Sequence, residues 1–319
     1  MTPPRIAIVV PCYNEQEALA DTDRELGAVL DAMISDGLAD PSSYILYVDD
    51  GSTDDTWRIL ASITASPTRS AIRLTANTGH QHCVIAGMEA VAGHCDAVVT
   101  IDADLQDDVR AIPEMAARYR EGHDIVYGVR ANRDSDTRFK RNSARLFYAT
   151  LNSLGVNSIS NHADFRLLSA AALDDLLQYS ERNLYLRGIV PMLGYDPATV
   201  EYVRRPRVAG RTKYPIKKMI NFALDGITSF SVKPVRMVFV VGLIFLMIAL
   251  VMLIYVLIRY FTGETIEGWT SLILSVWFCS GVILVSLGIV GEYIGKIYTE
   301  VKRRPRYAIR TTLNPRNLR

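Results

Sequence analysis

Two long apolar runs, Val235 to Tyr260 and Trp269 to Val290, limit what this chain can become more than any other feature. Each has roughly 20 residues or more, enough to cross about 30 Å of hydrocarbon as a helix. The stretch between them, Phe261-Thr262-Gly263-Glu264-Thr265-Ile266-Glu267-Gly268, is short and polar. Together they predict a two-helix transmembrane hairpin. The competing reading is a pair of buried core helices, but few soluble helices are apolar on all faces over such a length. Lys233 and Arg236 precede the first run, and Lys296, Lys302, Arg303, Arg304 and Arg306 follow the second; only Arg259 lies near the opposite end. That bias places both termini in the cytoplasm.

The 319 residues suggest about two domains. Lys and Arg number 35 against 34 Asp and Glu, a net charge of +1, so no global charge points to nucleic acid. The four cysteines, Cys12, Cys83, Cys95 and Cys279, are scattered and form no Cys-x-x-Cys pair. They fit a reduced compartment better than a disulfide framework or a zinc site. Met1-Thr2-Pro3-Pro4 leads directly into a strand-like run, so no signal peptide is expected.

Before the apolar runs, strand-like and helix-like segments alternate. Strands are expected at Ile6–Val10, Tyr44–Val48, Ala71–Leu74, Ala97–Ile101 and Asp124–Tyr127, and helices at Glu15–Ile34, Thr53–Ser66, Gln81–Ala92 and Ala111–Arg120. This alternation implies an α/β fold, a mainly parallel sheet with helices on both faces, with ligands at the carboxyl ends of the strands. No Gly-x-Gly-x-x-Gly or phosphate-loop Lys-Ser/Thr motif is present. Polar residues gather at four strand ends: Pro11-Cys12-Tyr13-Asn14-Glu15, Asp49-Asp50-Gly51-Ser52-Thr53-Asp54, Asn77-Thr78-Gly79-His80 and Asp102-Ala103-Asp104-Leu105-Gln106. Each alone could be a cap or turn, with Ser52 or Thr53 as a helix cap. Four along one sheet edge point to a shared pocket. Two carboxylates two residues apart at a strand end can face one cleft and hold a hard divalent cation that also takes phosphate oxygens. Solvated acids in a turn are the alternative for Asp102 and Asp104.

These tips, in this order, resemble family 2 glycosyltransferases with the GT-A nucleotide-sugar-binding fold, and the resemblance covers essentially the whole chain. Asp164-Phe165-Arg166-Leu167-Leu168-Ser169, Glu181-Arg182-Asn183-Leu184-Tyr185, Ala209-Gly210-Arg211-Thr212-Lys213-Tyr214 and Gly291-Glu292-Tyr293-Ile294-Gly295-Lys296-Ile297-Tyr298 narrow it. They look like polyprenyl-phosphate glycosyltransferases, nearest to bactoprenol (undecaprenyl-phosphate) glucosyltransferases and related to dolichol-phosphate mannose synthases. The resemblance implies Mg²⁺- or Mn²⁺-dependent, inverting transfer of a hexose to polyprenyl phosphate on the cytoplasmic face of a bacterial inner membrane. Glucose from UDP-glucose is the favoured donor, with UDP-GlcNAc, UDP-galactose, GDP-mannose and UDP-aminoarabinose as alternatives.

By the same resemblance, Asp102, Asp104 and Gln106 hold the metal on the donor diphosphate, with Asp102 alternatively touching the ribose. Pro11, Tyr13, Glu15, Asp50 and Asn77 form the donor pocket, Tyr13 stacking on the uracil and Asp50 accepting a hydrogen bond from it. The acceptor, a phosphate monoester, is already anionic near neutral pH and needs cations more than a base. Arg130, Arg138, Lys140 and Arg141, with Arg211 and Lys213 in a second group, are the candidates to clamp it; ordinary attraction to anionic lipid is their alternative role. Asp164 sits where the family keeps an acid near the reacting carbon, and a buried salt bridge with Arg166 explains it equally well. His80 and His82 line the nucleotide pocket or serve only the loop.

The expected organisation is a cytosolic GT-A domain over 1–214, an amphipathic interfacial helix over 215–232, two transmembrane helices within 233–292 (about 235–260 and 269–290), and a basic cytosolic tail over 293–319. Thr137 to Leu154 is a further interfacial candidate, mixing basic with aromatic and apolar residues. A homo-oligomer, such as a tetramer, follows from the resemblance and from the strand-like Tyr307-Ala308-Ile309. Two readings compete on function. A processive polysaccharide synthase needs a pore, for which two spans are too few, and a Gln-x-x-Arg-Trp motif that is absent. A non-catalytic nucleotide-sugar-binding scaffold has no use for an intact acid tip with basic acceptor loops.

Overall fold

A computed structural model describes residues 2–131, 162–182, 186–203, 233–262, 268–315 and 318. They fall into two compact units. One takes in 2–131, 162–182, 186–203 and the residues from 304 onward; the other takes in 233–262 and 268–303.

The first unit is built on an eight-stranded sheet in the order β7-β5-β6-β4-β1-β2-β3-β8. Its strands are β1 (Ile6–Cys12), β2 (Tyr44–Asp49), β3 (Arg69–Leu74), β4 (Ala97–Thr100), β5 (Ile125–Arg130), β6 (His162–Ser169), β7 (Pro197–Tyr202) and β8 (Ile309–Leu313). β1 reads Ile-Ala-Ile-Val-Val-Pro-Cys and every residue of it is buried, as a strand covered on both faces requires. Alternate residues divide between the faces. Ile6, Ile8, Val10 and Cys12 join a core with Leu19, Leu26 and Leu30 of α1 (Leu19–Ser35), Leu60 of α2 (Thr56–Ile63), and Ile112 and Met115 of α4 (Ile112–Arg120). Val9 and Val48 face α3 (His80–Val91) so closely that a Cβ on Gly87 would come within 2.3 Å of Val9 Cγ1.

Four of the seven strand pairings are parallel and three antiparallel, so the sheet is more mixed than expected. β6 runs antiparallel between β4 and β5, and β8 runs antiparallel along β3. The five strands expected from sequence are all present; β6 and β7 were unforeseen. The parallel order reverses between β1 and β4, which lie side by side although β2 and β3 intervene in sequence. A crevice forms at such a switch point. Register places Cys12 beside Asp49 and Val9 beside Thr100, so the tips of β1, β2 and β4 emerge together.

The basic tail contributes an edge strand to this sheet. Leu313 pairs with Ala71 and Thr311 with Arg73. Asn314 Nδ2 donates to Arg69 O at 2.7 Å, Arg306 Nη2 to Tyr179 O at 2.6 Å, and the Tyr307 hydroxyl to Glu89. The strand hint at Tyr307–Ile309, which sequence linked to a homo-oligomer, therefore finds a partner in its own chain.

In the second unit, α7 (Lys233–Phe261) and α8 (Trp269–Val301) expose large apolar side chains, such as Phe239 at 68% and Leu284 at 69%. The rings of Phe245 and Phe278 lie 5.4 Å apart. Among the described residues, one segment, Phe278–Val301, is long and apolar enough to cross a membrane by length and composition. α8 continues past the expected end at 290 because Tyr293, Ile294, Ile297, Tyr298 and Val301 keep helical spacing among Glu292, Lys296 and Glu300.

Candidate active site at the strand tips

Several of the hydrogen bonds that join the β1 and β2 tips run between uncharged groups. Asn14 has φ 55°, a conformation asparagine tolerates better than most residues. Its N–H donates to Ser52 Oγ (3.0 Å), and its Oδ1 accepts from the Thr53 N–H (2.9 Å). The Glu15 N–H donates to Thr56 Oγ1 at 2.9 Å. Ser52 thus anchors the neighbouring loop rather than capping α2, whose cap residue is Asp55. Asp49 is fully buried; its Oδ1 accepts from the Ser52 N–H, and its Oδ2 lies 3.1 Å from Arg73 Nε. Gly51 at φ 69° packs against the β3 tip, where a Cβ would meet Ala76 C at 2.7 Å.

Asp50 is 2% exposed, and its oxygens accept from the Thr78 N–H (2.7 Å), Thr78 Oγ1 (2.9 Å) and the Gly79 N–H (3.0 Å). Its visible work is to hold the β3–α3 turn, so a base reaching it meets a carboxylate already well satisfied. Tyr13 is 45% exposed, with its ring open to solvent at the β1 tip. Pro11 is buried, and Asn77 is exposed at the β3 tip.

At the β4 tip, Leu105 adopts φ 53°, a strained turn for a branched side chain. The turn brings the Gln106 N–H back to Asp104 Oδ1 at 3.1 Å. Thr22, fully buried on α1, pins the loop by donating to Ala103 O at 2.7 Å. Asp104 is only 9% exposed, whereas the Asp102 side chain shows 44% of its surface.

Charges hold the other half of the site. Asp164 on β6 accepts from Arg166 Nη2 (2.7 Å) and, bidentately, from Arg187 Nε (3.1 Å) and Nη2 (3.0 Å) of α6 (Leu186–Ile189), the short helix after α5 (Ala170–Gln178). The Arg166 salt bridge weighed from sequence is therefore real. Arg166 is 1% exposed; Nη1 reaches Leu186 O at 3.2 Å, while Nε finds no acceptor among the described residues. His80 Nε2 lies 3.5 Å from Asp164 Oδ2 and 3.7 Å from Asp102 Oδ1. Burial works against the His80 cation, but hydrogen bonding to Asp164 and the charges of Asp102 and Asp164 prevail and raise it to about 9. Burial lifts Asp102 to about 6 despite His80, with repulsion from Asp164, Asp107 and Asp104 adding to the rise. Burial also disfavours the Asp164 carboxylate, yet His80, Arg187 and Arg166 hold it well below the usual range.

Arg130 is tethered beside this cluster. Its Nε donates to the Tyr202 hydroxyl at 3.3 Å and its Nη2 lies 3.6 Å from Asp107 Oδ1, to which Tyr202 also donates at 2.5 Å. The structure thus links Asp102 and Asp164 through His80 and holds Arg130 through Asp107 and Tyr202. Arg138, Lys140, Arg141, Arg211 and Lys213 lie outside the described residues, as do the amphipathic candidates 137–154 and 215–232. Arg187, Asp107 and Tyr202 escaped the sequence reading. Asp107 follows the Asp102–Gln106 tip directly, and Arg187 lies just past the Glu181–Tyr185 motif.

Among the described residues no three His, Cys, Asp or Glu side chains converge to cage a metal. Two neighbouring carboxylates suit a hard cation that takes its remaining ligands from phosphate and water, the usual habit of Mg²⁺ in phosphate sites. The donor set at Asp102 and Asp104 therefore fits such an ion carried on a diphosphate.

Acidic tips gathered at the switch point of a mixed, largely parallel sheet fit a nucleotide-sugar-binding fold of the GT-A type. The chain belongs to glycosyl transferase family 2, whose model matches residues 7–177; it is a glycosyltransferase. The model described as the GtrB C-terminal hairpin matches residues 233–297. The chain is 48% identical to the uncharacterized glycosyltransferase YkoT of Bacillus subtilis, over 96% of this chain and 91% of that protein. It is 36% identical to the bactoprenol glucosyl transferase of Shigella phage SfII, over 96% of this chain and 97% of that protein.

Proposed function

We propose that this protein transfers glucose from UDP-glucose to polyprenyl phosphate at the cytoplasmic face of a bacterial inner membrane, releasing UDP and a polyprenyl-phosphate sugar. The observation that carries the reading is the near full-length relationship to bactoprenol glucosyl transferases, which takes in both the sheet unit and the hairpin.

In the reaction, an oxygen of the acceptor phosphate attacks the anomeric carbon as that carbon's bond to the diphosphate breaks, with inversion; the bonding pair leaves on UDP. Mg²⁺ or Mn²⁺, held by Asp104 with Asp102 and Gln106, would offset the charge growing on the diphosphate as a Lewis acid. Tyr13 offers a face for the uracil, and Pro11, Glu15, Asp50 and Asn77 shape the donor wall around it. The acceptor's second ionisation lies near 6 by analogy with protein phosphates, so no strong base is required. That suits Asp164, whose oxygens are already engaged by Arg166 and Arg187. Its role is to orient the cations beside the reacting carbon, not to take a proton. Arg130, with Arg138, Lys140, Arg141, Arg211 and Lys213, would hold the acceptor phosphate, a task to which the guanidinium fork is well shaped.

The catalytic portion, 1–214, is cytosolic; 137–154 and 215–232 rest in the headgroup layer; and 235–260 and 269–290 cross the membrane as a hairpin. Both termini are cytoplasmic, and the protein assembles as a homo-oligomer, such as a tetramer. The exposed apolar side chains of α7 and α8 support the hairpin.

Full-length protein in nanodiscs, given labelled UDP-glucose, undecaprenyl phosphate and Mg²⁺, should produce an organic-extractable, acid-labile glucolipid. Preference for another nucleotide sugar in a donor panel would replace glucose. Polymer, or no turnover with any donor, would overturn the reading.

A further inference from the structure

Arg130 ends β5 opposite Tyr202, the last residue of β7, and the two are register partners in a parallel pair. Asp107 joins them from the loop that carries the acid tip. The Tyr202 hydroxyl donates to Asp107 Oδ1 at 2.5 Å and accepts from Arg130 Nε at 3.3 Å. A hydroxyl has a single proton, so these two bonds fix its direction: it gives to the acid and receives from the guanidinium. Tyr202 and Asp107 are each 4% exposed, whereas the Arg130 side chain shows 31% of its surface.

Packing holds the Tyr202 ring in place. It meets Phe165 edge-on, with centroids 5.4 Å apart. Gly128 of β5 leaves room for both rings, because a Cβ there would come within 2.7 Å of Phe165 Cδ1 and 3.1 Å of Tyr202 Cε1. Phenylalanine would fill the same space. The buried hydroxyl and carboxylate cost desolvation, and what they supply is a fixed seat for one partly exposed cation. Arg130 meets that seat with the Nε–Nη2 edge of its guanidinium; Nη2 lies 3.6 Å from Asp107 Oδ1, a charge contact rather than a hydrogen bond. The guanidinium is planar, so holding this edge turns the edge that bears Nη1 away from the pair. A long side chain already ordered loses less freedom when a ligand arrives.

We propose that Tyr202, with Asp107 behind it, is a positioning residue that holds Arg130 ready for the acceptor phosphate. This rests on the reading of Arg130 as an acceptor-phosphate ligand. It adds a link to that reading: because Asp107 follows Gln106 directly, the same contact ties the arm that receives the lipid phosphate to the loop that holds the donor diphosphate.

The test is a kinetic cycle on the full-length protein in nanodiscs, varying undecaprenyl phosphate at fixed UDP-glucose and then the reverse. Tyr202→Phe removes only the oxygen. It should raise the acceptor KM about tenfold, as expected for loss of a hydrogen bond to a charged group, with the donor KM nearly unchanged. Arg130→Lys keeps a cation but loses the Nε–Nη2 edge. In that background Tyr202→Phe should cause no further loss of kcat/KM for the acceptor, because groups that act through one another are not additive. A merely structural role for Tyr202 would cost the same in both backgrounds. Asp107→Asn, which keeps an oxygen for the hydroxyl, gives a second cycle judged in the same way should Tyr202→Phe unfold; its rise in acceptor KM should be smaller. Equal losses with and without Arg130, or a rise confined to the donor KM, would overturn the proposal and leave Arg130 in place. If Arg130→Ala uses the acceptor as wild type does, the phosphate-ligand reading of Arg130 fails and the proposal with it. No glucolipid from wild type would overturn the proposed function and this inference together.

Discussion

The two halves of the crevice use charge unequally: the β1–β2 side holds one buried pair, Asp49 with Arg73, alongside its neutral contacts, whereas the β4–β6 side is held by a whole cluster. On the β1–β2 side, Asn14, Ser52, Thr53 and Thr56 interlock through hydrogen bonds between uncharged groups. On the β4–β6 side, Asp102, Asp164, His80, Arg166 and Arg187 are held by charge. Hydrogen bonds between neutral groups, with Asp49 and Arg73 already paired to each other and bonded to Ser52, give a wall less sensitive to salt or to an arriving ion. A cluster of charges gives a floor whose arrangement depends on which cations are present. A planar base needs the first kind of surface. A diphosphate, which leaves with more charge than it had in the sugar nucleotide, needs the second.

The sharpest way to test the contrast is at the acid tip. Asp104→Asn keeps an oxygen for the Gln106 N–H and removes the charge. Transfer should fall at least ~100-fold in kcat, by analogy with removal of one charge-stabilising group, while the thermal midpoint stays near that of wild type. Most activity retained across a Mg²⁺ and Mn²⁺ titration would separate Asp104 from the chemistry. Next in size is Arg166→Ala. Breaking a buried ion pair costs about 3–5 kcal/mol; because Arg187 still faces Asp164, the lower end is expected, read as a large drop in the unfolding midpoint in detergent. A change of under ~1 kcal/mol would mean that the Arg166 pair contributes no more than a surface one.

These variants probe residues of very different visibility in sequence. The strands β1, β2 and β4 are short apolar runs that end in polar residues, so both the strands and their tips could be read locally. β6 carries Arg166 in its middle, and a buried charge interrupts the apolar run that marks a strand. β7 exposes alternate residues and buries only Val200 and Tyr202 fully, with the small Ala198 packed partly against the core. The tail strand was suggested by Tyr307–Ile309, but an edge strand's own sequence does not name its partner; Ala71 to Leu74 supply it here. Within the site, Asp102, Asp104 and Asp164 stood out because acids at strand ends are conspicuous. Arg187 and Tyr202 did not, because their importance comes from reaching Asp164 and Asp107 across long stretches of chain.

A smaller effect should come from the neutral wall. Asn14→Ala removes the acceptor for the Thr53 N–H and places alanine at φ 55°. Together these should cost about 1–2 kcal/mol. The functional signature is a several-fold rise in KM for the donor with kcat nearly unchanged, independent of added salt. A kcat loss as large as that of Asp104→Asn would erase the distinction between wall and floor.

The smallest effect expected is on pH. His80 is raised to about 9 from an ordinary value of 6.5, with Asp102, Asp164 and Arg187 facing it. A histidine whose folded-state pKa exceeds its unfolded one adds stability that is fully present below about 6.5 and is lost as pH rises through about 9. In EDTA, the wild-type unfolding midpoint should therefore decline between pH 7 and 9.5 more than that of His80→Asn. The difference should shrink at high salt, because His80 is 40% exposed and its ion pairs are partly screened. Parallel pH profiles for the two proteins would mean that Arg166 and Arg187 hold the charged side by themselves, leaving His80 without a stabilising share in it.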